Sequence, residues 1–219
     1  MRAVLFDLEG TLVETAYEWS REAVNELRRG TKDKLIGLGV PEEALMGLVR
    51  STLLRNRAHE WVEASLSQAE SAMFRAELDT FMKPIEMRTA RSARLYPDTL
   101  EALEGLSARG VEMGLVTNTS RGAADYVLGN LGLGGFFRVV VTRDDAPRLK
   151  PDPSMLRAAV AEMGVAAGWL VGDSVFDAEA ARGAGLRSII ARRNGVRPSF
   201  RHDRFVDSLN CVASIVLED

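Results

Sequence analysis

The stretch Ala3-Val4-Leu5-Phe6-Asp7-Leu8-Glu9-Gly10-Thr11-Leu12 decides the fold. Four apolar residues run without a polar interruption. Two carboxylates two positions apart, a glycine and a hydroxyl follow at once. A continuous apolar run of this length suits a strand buried on both faces, as in a parallel sheet, and its abrupt polar end suits a loop at the sheet rim. The pattern recurs three times: Val111–Val116 leads to Thr117-Asn118-Thr119-Ser120, Arg138–Val141 to Thr142-Arg143-Asp144-Asp145, and Trp169–Val171 to Gly172-Asp173-Ser174.

Helical patterns separate these runs. Leu100, Leu103 and Leu106 share a face after Pro97-Asp98, with Gly110 as the stop. Ala123–Leu131 is closed by Gly132, Pro153–Met163 by Gly164 and Phe176–Ala184 by Gly185. Strands alternating with short helices predict an α/β fold with a parallel sheet. Ligands of such folds lie at the carboxyl ends of the strands, where the polar clusters of this chain fall.

Residues 14–93 differ. Glu, Arg, Leu and Ala dominate, and apolar residues recur at helical spacing, as in Leu45, Leu48, Val49 and again in Phe74, Leu78, Phe81. No strand is legible there. Gly37, Gly39 and Pro41 mark one break and Pro84 another. The chain therefore divides into a core of residues 1–13 and 94–219 and an all-helical insert of residues 14–93.

Composition narrows the function. The 219 residues carry a formal charge of -3, with 46% hydrophobic and 27% charged residues, which suits a globular fold with a sizeable core. No overall basic excess marks a nucleic-acid binder. The single cysteine, Cys211, excludes an internal disulfide and reads as a small buried hydrophobe. The first apolar run is too short for a signal peptide or membrane span, so a cytoplasmic protein is expected. Arg187, Arg192, Arg193, Arg197, Arg201 and Arg204, with His202 among them, read as a solvated basic face. Trp19, His59 and Trp61 read as packing residues, and Arg55 and Arg57 lie in the insert, from which they could touch a substrate.

Four clusters stand together: Asp7-Leu8-Glu9-Gly10-Thr11, Thr117-Asn118, Lys150-Pro151-Asp152-Pro153, and Gly172-Asp173 with Asp177. In this order the chain resembles the haloacid dehalogenase superfamily, along its whole length and most closely the phosphoglycolate phosphatase and β-phosphoglucomutase type. The resemblance implies a Rossmann-like core with a helical cap inserted after the first strand. It further implies Mg²⁺-dependent hydrolysis of a small phosphorylated metabolite.

Asp7 would be the nucleophile, since a covalent aspartyl phosphate splits a very slow reaction into two easier displacements. Asp7, Asp173 and the backbone carbonyl of Glu9 would hold the metal. Lys150 and Thr117 would neutralise and bind the transferring group. Gly10, Thr11 and Asn118 would complete the phosphate cradle through backbone N–H groups, and Asp177 would support the site. Glu9 takes the place of the family's second aspartate, the general acid/base. Its extra methylene shifts the carboxyl group by more than about 1 Å on an unchanged backbone, a displacement to which catalysis is sensitive. An acid at this position favours phosphate esters over haloacids, because a leaving alkoxide needs a proton and a halide does not. The alternatives are a mutase sharing the phospho-enzyme, a 2-haloacid dehalogenase, and a non-catalytic binding protein.

Overall fold

The computed structural model describes residues 3–15, 21–164 and 168–218; Trp19 lies outside them. Strand β1 (Ala3–Phe6) is followed by the two-residue strand β2 (Val13–Glu14). Helices α1 (Arg21–Gly37), α2 (Ser51–Ser65) and α3 (Gln68–Arg91) come next. A second two-residue strand, β3 (Arg94–Leu95), pairs antiparallel with β2, so the chain leaves and rejoins the sheet region at one place. The remainder alternates: α4 (Thr99–Ser107), β4 (Glu112–Val116), α5 (Arg121–Asn130), β5 (Val139–Val141), α6 (Ser154–Met163), β6 (Trp169–Gly172), α7 (Val175–Ala184), β7 (Arg187–Ala191), β8 (Arg204–Val206) and α8 (Val212–Glu218).

Six strands form one parallel sheet in the order β5-β4-β1-β6-β7-β8. Alternate residues of β1 enter opposite layers, as the period of a strand demands. Val4 and Phe6 join Leu103 and Leu106 of α4, Val127 and Leu128 of α5, and Val212 and Val216 of α8. Ala3 and Leu5 join Met155, Leu156 and Met163 of α6 with Ala180 and Ala181 of α7. The continuous apolar run thus reflects a strand covered on both faces. β1 lies in the middle of the sheet, and successive units wind outward from it in both directions. The ends of β1, β4 and β6 therefore meet at one rim.

Helices α1–α3 close an apolar core of their own around Leu35, Leu54, Val62, Phe74, Leu78 and Met82. Three expectations for this region need correction. Pro84 does not break the chain, because α3 runs through it from Gln68 to Arg91. Both halves of that helix bury side chains, Leu78 and Met82 before the proline and Thr89 and Ala90 after it, which offsets the roughly 3 kcal/mol an interior proline costs. Leu45, Leu48 and Val49 do not share a helix face: a 3₁₀ turn ends at Leu45, and Val49 is exposed. Strand β2 extends one residue, Glu14, into the stretch read as strand-free.

Cys211 is exposed rather than buried. It ends a 3₁₀ turn whose buried position is Leu209, and the chain passes directly into α8 with Val212 inward. The basic run is not one solvated face either. Arg187 stacks over Trp169 at 3.9 Å and Arg193 over Tyr96 at 3.7 Å, while Arg193 also pairs with Asp98 at 2.8 Å. No helix among the described residues is long and apolar enough to cross a membrane.

Candidate active site

After β1 the backbone folds back on itself. Gly10 N–H donates to the Val13 carbonyl at 2.8 Å, and the N–H groups of Leu12 and Val13 both donate to Leu8 O. Gly10 has φ +81°, a conformation that an L side chain rarely adopts, which explains glycine at this point of the motif. The turn holds Asp7 buried at the strand end, with Glu9 half-buried beside it.

Lys150 reaches Asp7 from the loop after β5. Its Nζ donates to Asp7 Oδ1 at 2.6 Å, to Asp177 Oδ1 at 2.7 Å and to the Val116 carbonyl at 3.0 Å, so all three ammonium protons are used. Asp177 spends its other oxygen on the start of α7, accepting from Ser174 N at 3.1 Å and Ser174 Oγ at 2.6 Å. Gly172 makes room for this: a Cβ there would lie 2.4 Å from Asp177 Cβ.

Burial pushes the Asp7 carboxyl up to about 6, against the pull of Lys150 and helped by the nearby Asp177. Burial alone would lower the Lys150 ammonium, but Asp177 and Asp7 outweigh it and hold it charged. Asp7, Asp173 and Asp177 each offer a carboxylate oxygen, and these lie within 4.8 Å of one another. Three acids thus face one lysine with an all-oxygen donor set. That excess of negative charge fits a hard divalent cation such as Mg²⁺. Both oxygens of Asp177 are engaged, one by Lys150 and the other by Ser174.

The acids open onto a cavity of about 430 Å³ between the sheet rim and the helical insert. Asp7, Glu9, Asn118, Lys150, Asp173 and Asp177 line it from the sheet side. Thr117, Gly10 and Thr11 are buried and are not on its surface; Thr119 is. Thr117 Oγ1 accepts from Thr119 N at 3.3 Å. The buried Thr11 hydroxyl has no hydrogen-bond partner among the described residues. Asn118 uses its side chain as well as its place in the loop: Oδ1 accepts from Lys150 N at 2.9 Å and Nδ2 donates to Lys150 O at 3.1 Å.

The insert supplies Arg50, Ser51, Thr52 and Arg55 from the start of α2, and Glu86 and Thr89 from α3. Of these, only Arg55 was singled out by the sequence. Its companion Arg57 points elsewhere, exposed and paired with Glu60 at 3.0 Å. Burial lowers the Arg55 guanidinium to about 10, with the like charge of Arg143 adding to the effect. Glu86 lies 3.7 Å away, and the buried Arg55 Nε has no hydrogen-bond partner among the described residues. Nothing in the composition marks Arg50, Ser51 and Thr52, since their role depends on where α2 begins.

A family model described as haloacid dehalogenase-like hydrolase matches residues 1–185. A phosphoglycolate phosphatase of Pseudomonas putida is 29% identical, across 100% of this chain and 76% of that protein. One from Cereibacter sphaeroides is 35% identical, across 85% of this chain and 83% of its own length. A HAD phosphatase from Thermococcus onnurineus, known as a crystal structure, superposes with a TM-score of 0.63 and 28% identity, covering 99% of this chain and 98% of that one.

Proposed function

The chain belongs to the haloacid dehalogenase-like hydrolases, and from that premise we propose that it is a Mg²⁺-dependent phosphatase acting on a small phosphate monoester through an aspartyl phosphate on Asp7. The observation that carries this reading is the buried Asp7–Lys150–Asp177 cluster, with Asp173 beside it, opening onto a cavity covered by residues 14–93 acting as a cap.

Asp7 and Asp173 would hold the ion, with the Glu9 carbonyl as the family resemblance implies. When bound, Mg²⁺ supplies charge neutralisation to the buried acids and to the phosphate. An Asp7 oxygen attacks phosphorus, and the bond from phosphorus to the ester oxygen breaks. Glu9, on the cavity wall, delivers a proton to that leaving oxygen. Water then attacks the same phosphorus and gives its proton to the Glu9 carboxylate. The bond to Asp7 breaks and phosphate departs. Lys150 keeps a fixed positive charge on Asp7 throughout, and its pairing with Asp177 holds it in place. The cap excludes water from the reacting atoms.

Relatives named phosphoglycolate phosphatase point to a substrate with a carboxylate beside its phosphate. Arg55, a cavity-lining cation of the insert whose charge is desolvated, suits that second anion. The test is Mg²⁺-dependent phosphate release from a panel including phosphoglycolate and p-nitrophenyl phosphate. Release is expected to vanish in Asp7→Asn and with EDTA. Arg55→Met should raise KM for phosphoglycolate about 10- to 100-fold, the worth of a charge-assisted hydrogen bond, and leave p-nitrophenyl phosphate nearly unaffected. Turnover by Asp7→Asn near the wild-type rate would refute the covalent route.

A further inference from the structure

The backbone that carries Lys150 is held by two side-chain amides, one from each part of the molecule. At Lys150 itself, Asn118 of the core accepts from the N–H and donates to the carbonyl. At Leu149, the preceding residue, Asn56 of α2 does the same: Leu149 N–H donates to Asn56 Oδ1 at 2.8 Å, and Asn56 Nδ2 donates to Leu149 O at 2.7 Å. Both backbone residues are buried, so these four groups have little water to turn to. Each amide acts as a strand neighbour would, and only a side chain with one donor and one acceptor at this reach can do so.

Two arginines link cap and core in another way. Arg143, on the loop after β5, pairs with Glu86 at 2.8 Å and Asp79 at 2.6 Å, and Arg148 pairs with Glu63 at 3.1 Å. These join side chain to side chain and leave the 149–150 backbone untouched. Asn56 reaches the main chain one residue from the lysine that neutralises Asp7.

We propose that Asn56 is a positioning residue through which the docking of α2 sets the place of Lys150, so that the counter-charge of the nucleophile is complete only when the cap is seated. This rests on the reading of Asp7 and Lys150 given above. Asn56 lines the catalytic cavity nowhere, so the expected effect falls on the chemical step and not on substrate binding. A side chain that merely fastened the cap would act on both, and would be matched by loss of any other fastening.

The experiment compares Asn56→Leu, Asn56→Asp, Glu63→Gln and Lys150→Met in the full chain. Steady-state kinetics use p-nitrophenyl phosphate at saturating Mg²⁺, with thermal unfolding as the check on folding. Asn56→Leu is expected to lower kcat at least tenfold with KM within twofold of wild type. Glu63→Gln should leave both unchanged. Should Asn56→Leu fail to fold, Asn56→Asp keeps the size, replaces the donor to the Leu149 carbonyl with a carboxylate oxygen that repels it, and carries the same expectation. A wild-type kcat in both Asn56 variants overturns the proposal, as does a loss confined to KM or one equalled by Glu63→Gln. If Lys150→Met retains turnover, or the wild type releases no phosphate, the reading beneath it falls and the proposal with it. An inactive Lys150→Met beside fully active Asn56 variants overturns the proposal alone.

Discussion

Glu9 occupies the cavity wall two residues after a buried aspartate, in a turn whose backbone groups hydrogen-bond to one another. Glu9→Gln, which keeps the size and removes the proton, is expected to lower kcat by about 10²- to 10⁴-fold while Mg²⁺ binding persists; a stopped assay at saturating Mg²⁺ and isothermal titration with the metal check the two halves. Lys150 has the opposite character, since its charge is structural as well as chemical. Lys150→Met leaves Asp7 and Asp177 facing each other without a cation. Unfolding by urea should show a loss of about 3–5 kcal/mol, the cost of orphaning a buried charge. At this scale the sequence was informative where a residue's neighbours along the chain decide its role. Asp7, Lys150 and Asp173 follow buried strands or a proline-flanked loop. Asn56 carries no such local mark, because what it touches lies across the cap interface.

The strand–loop–helix units are legible for a physical reason: a two-sided parallel strand must be apolar throughout, and its polar termination is abrupt. Gly164 and Gly185 close α6 and α7 in the left-handed conformation, as their places after apolar helical patterns suggest. What escaped was short or disguised. β2 and β3 have two residues each, below any periodic signal. β7 and β8 each begin on an arginine of the basic run, where Arg187 and Arg204 mask the inward Ile189 and Val206. Gly114 in β4 shows how tight the central sheet is. A Cβ there would meet Leu5 Cδ2 at 2.7 Å and Val139 Cγ1 at 2.9 Å, so Gly114→Ala should destabilise by about 1–3 kcal/mol in chemical denaturation.

The start of α4 is joined to two distant elements through Asp98. Burial would raise its carboxyl, but hydrogen bonds from Arg193, Leu209 N–H and Ser208, with the Arg193 charge, hold it below the usual range. A carboxyl lowered in the folded state contributes stability that is present above its unfolded value near 3.9 and is lost as pH falls through the folded one. Asp98→Asn should therefore flatten the acid side of the stability curve below about pH 4, as followed by thermal melts across pH.

For the molecule as a whole, the excess of acid at the rim predicts a metal-dependent stability. Held as proposed, Mg²⁺ would bind the folded state through carboxylates that the unfolded chain scatters, so the melting temperature should rise with Mg²⁺ concentration. Asp173→Ala should abolish most of that rise, as differential scanning fluorimetry would show. The central place of β1 has a further consequence, which concerns time. Leu5 pairs with Gly114 on one side and Leu170 on the other. On a ribosome adding about 5–20 residues per second, roughly five to twenty seconds pass between the making of Leu5 and that of its first partner. During that interval a wholly apolar strand waits with both edges open. The helices of residues 21–91 are completed in the same interval and can pack on one another first, so the cap is free to be the first part of this enzyme to take shape.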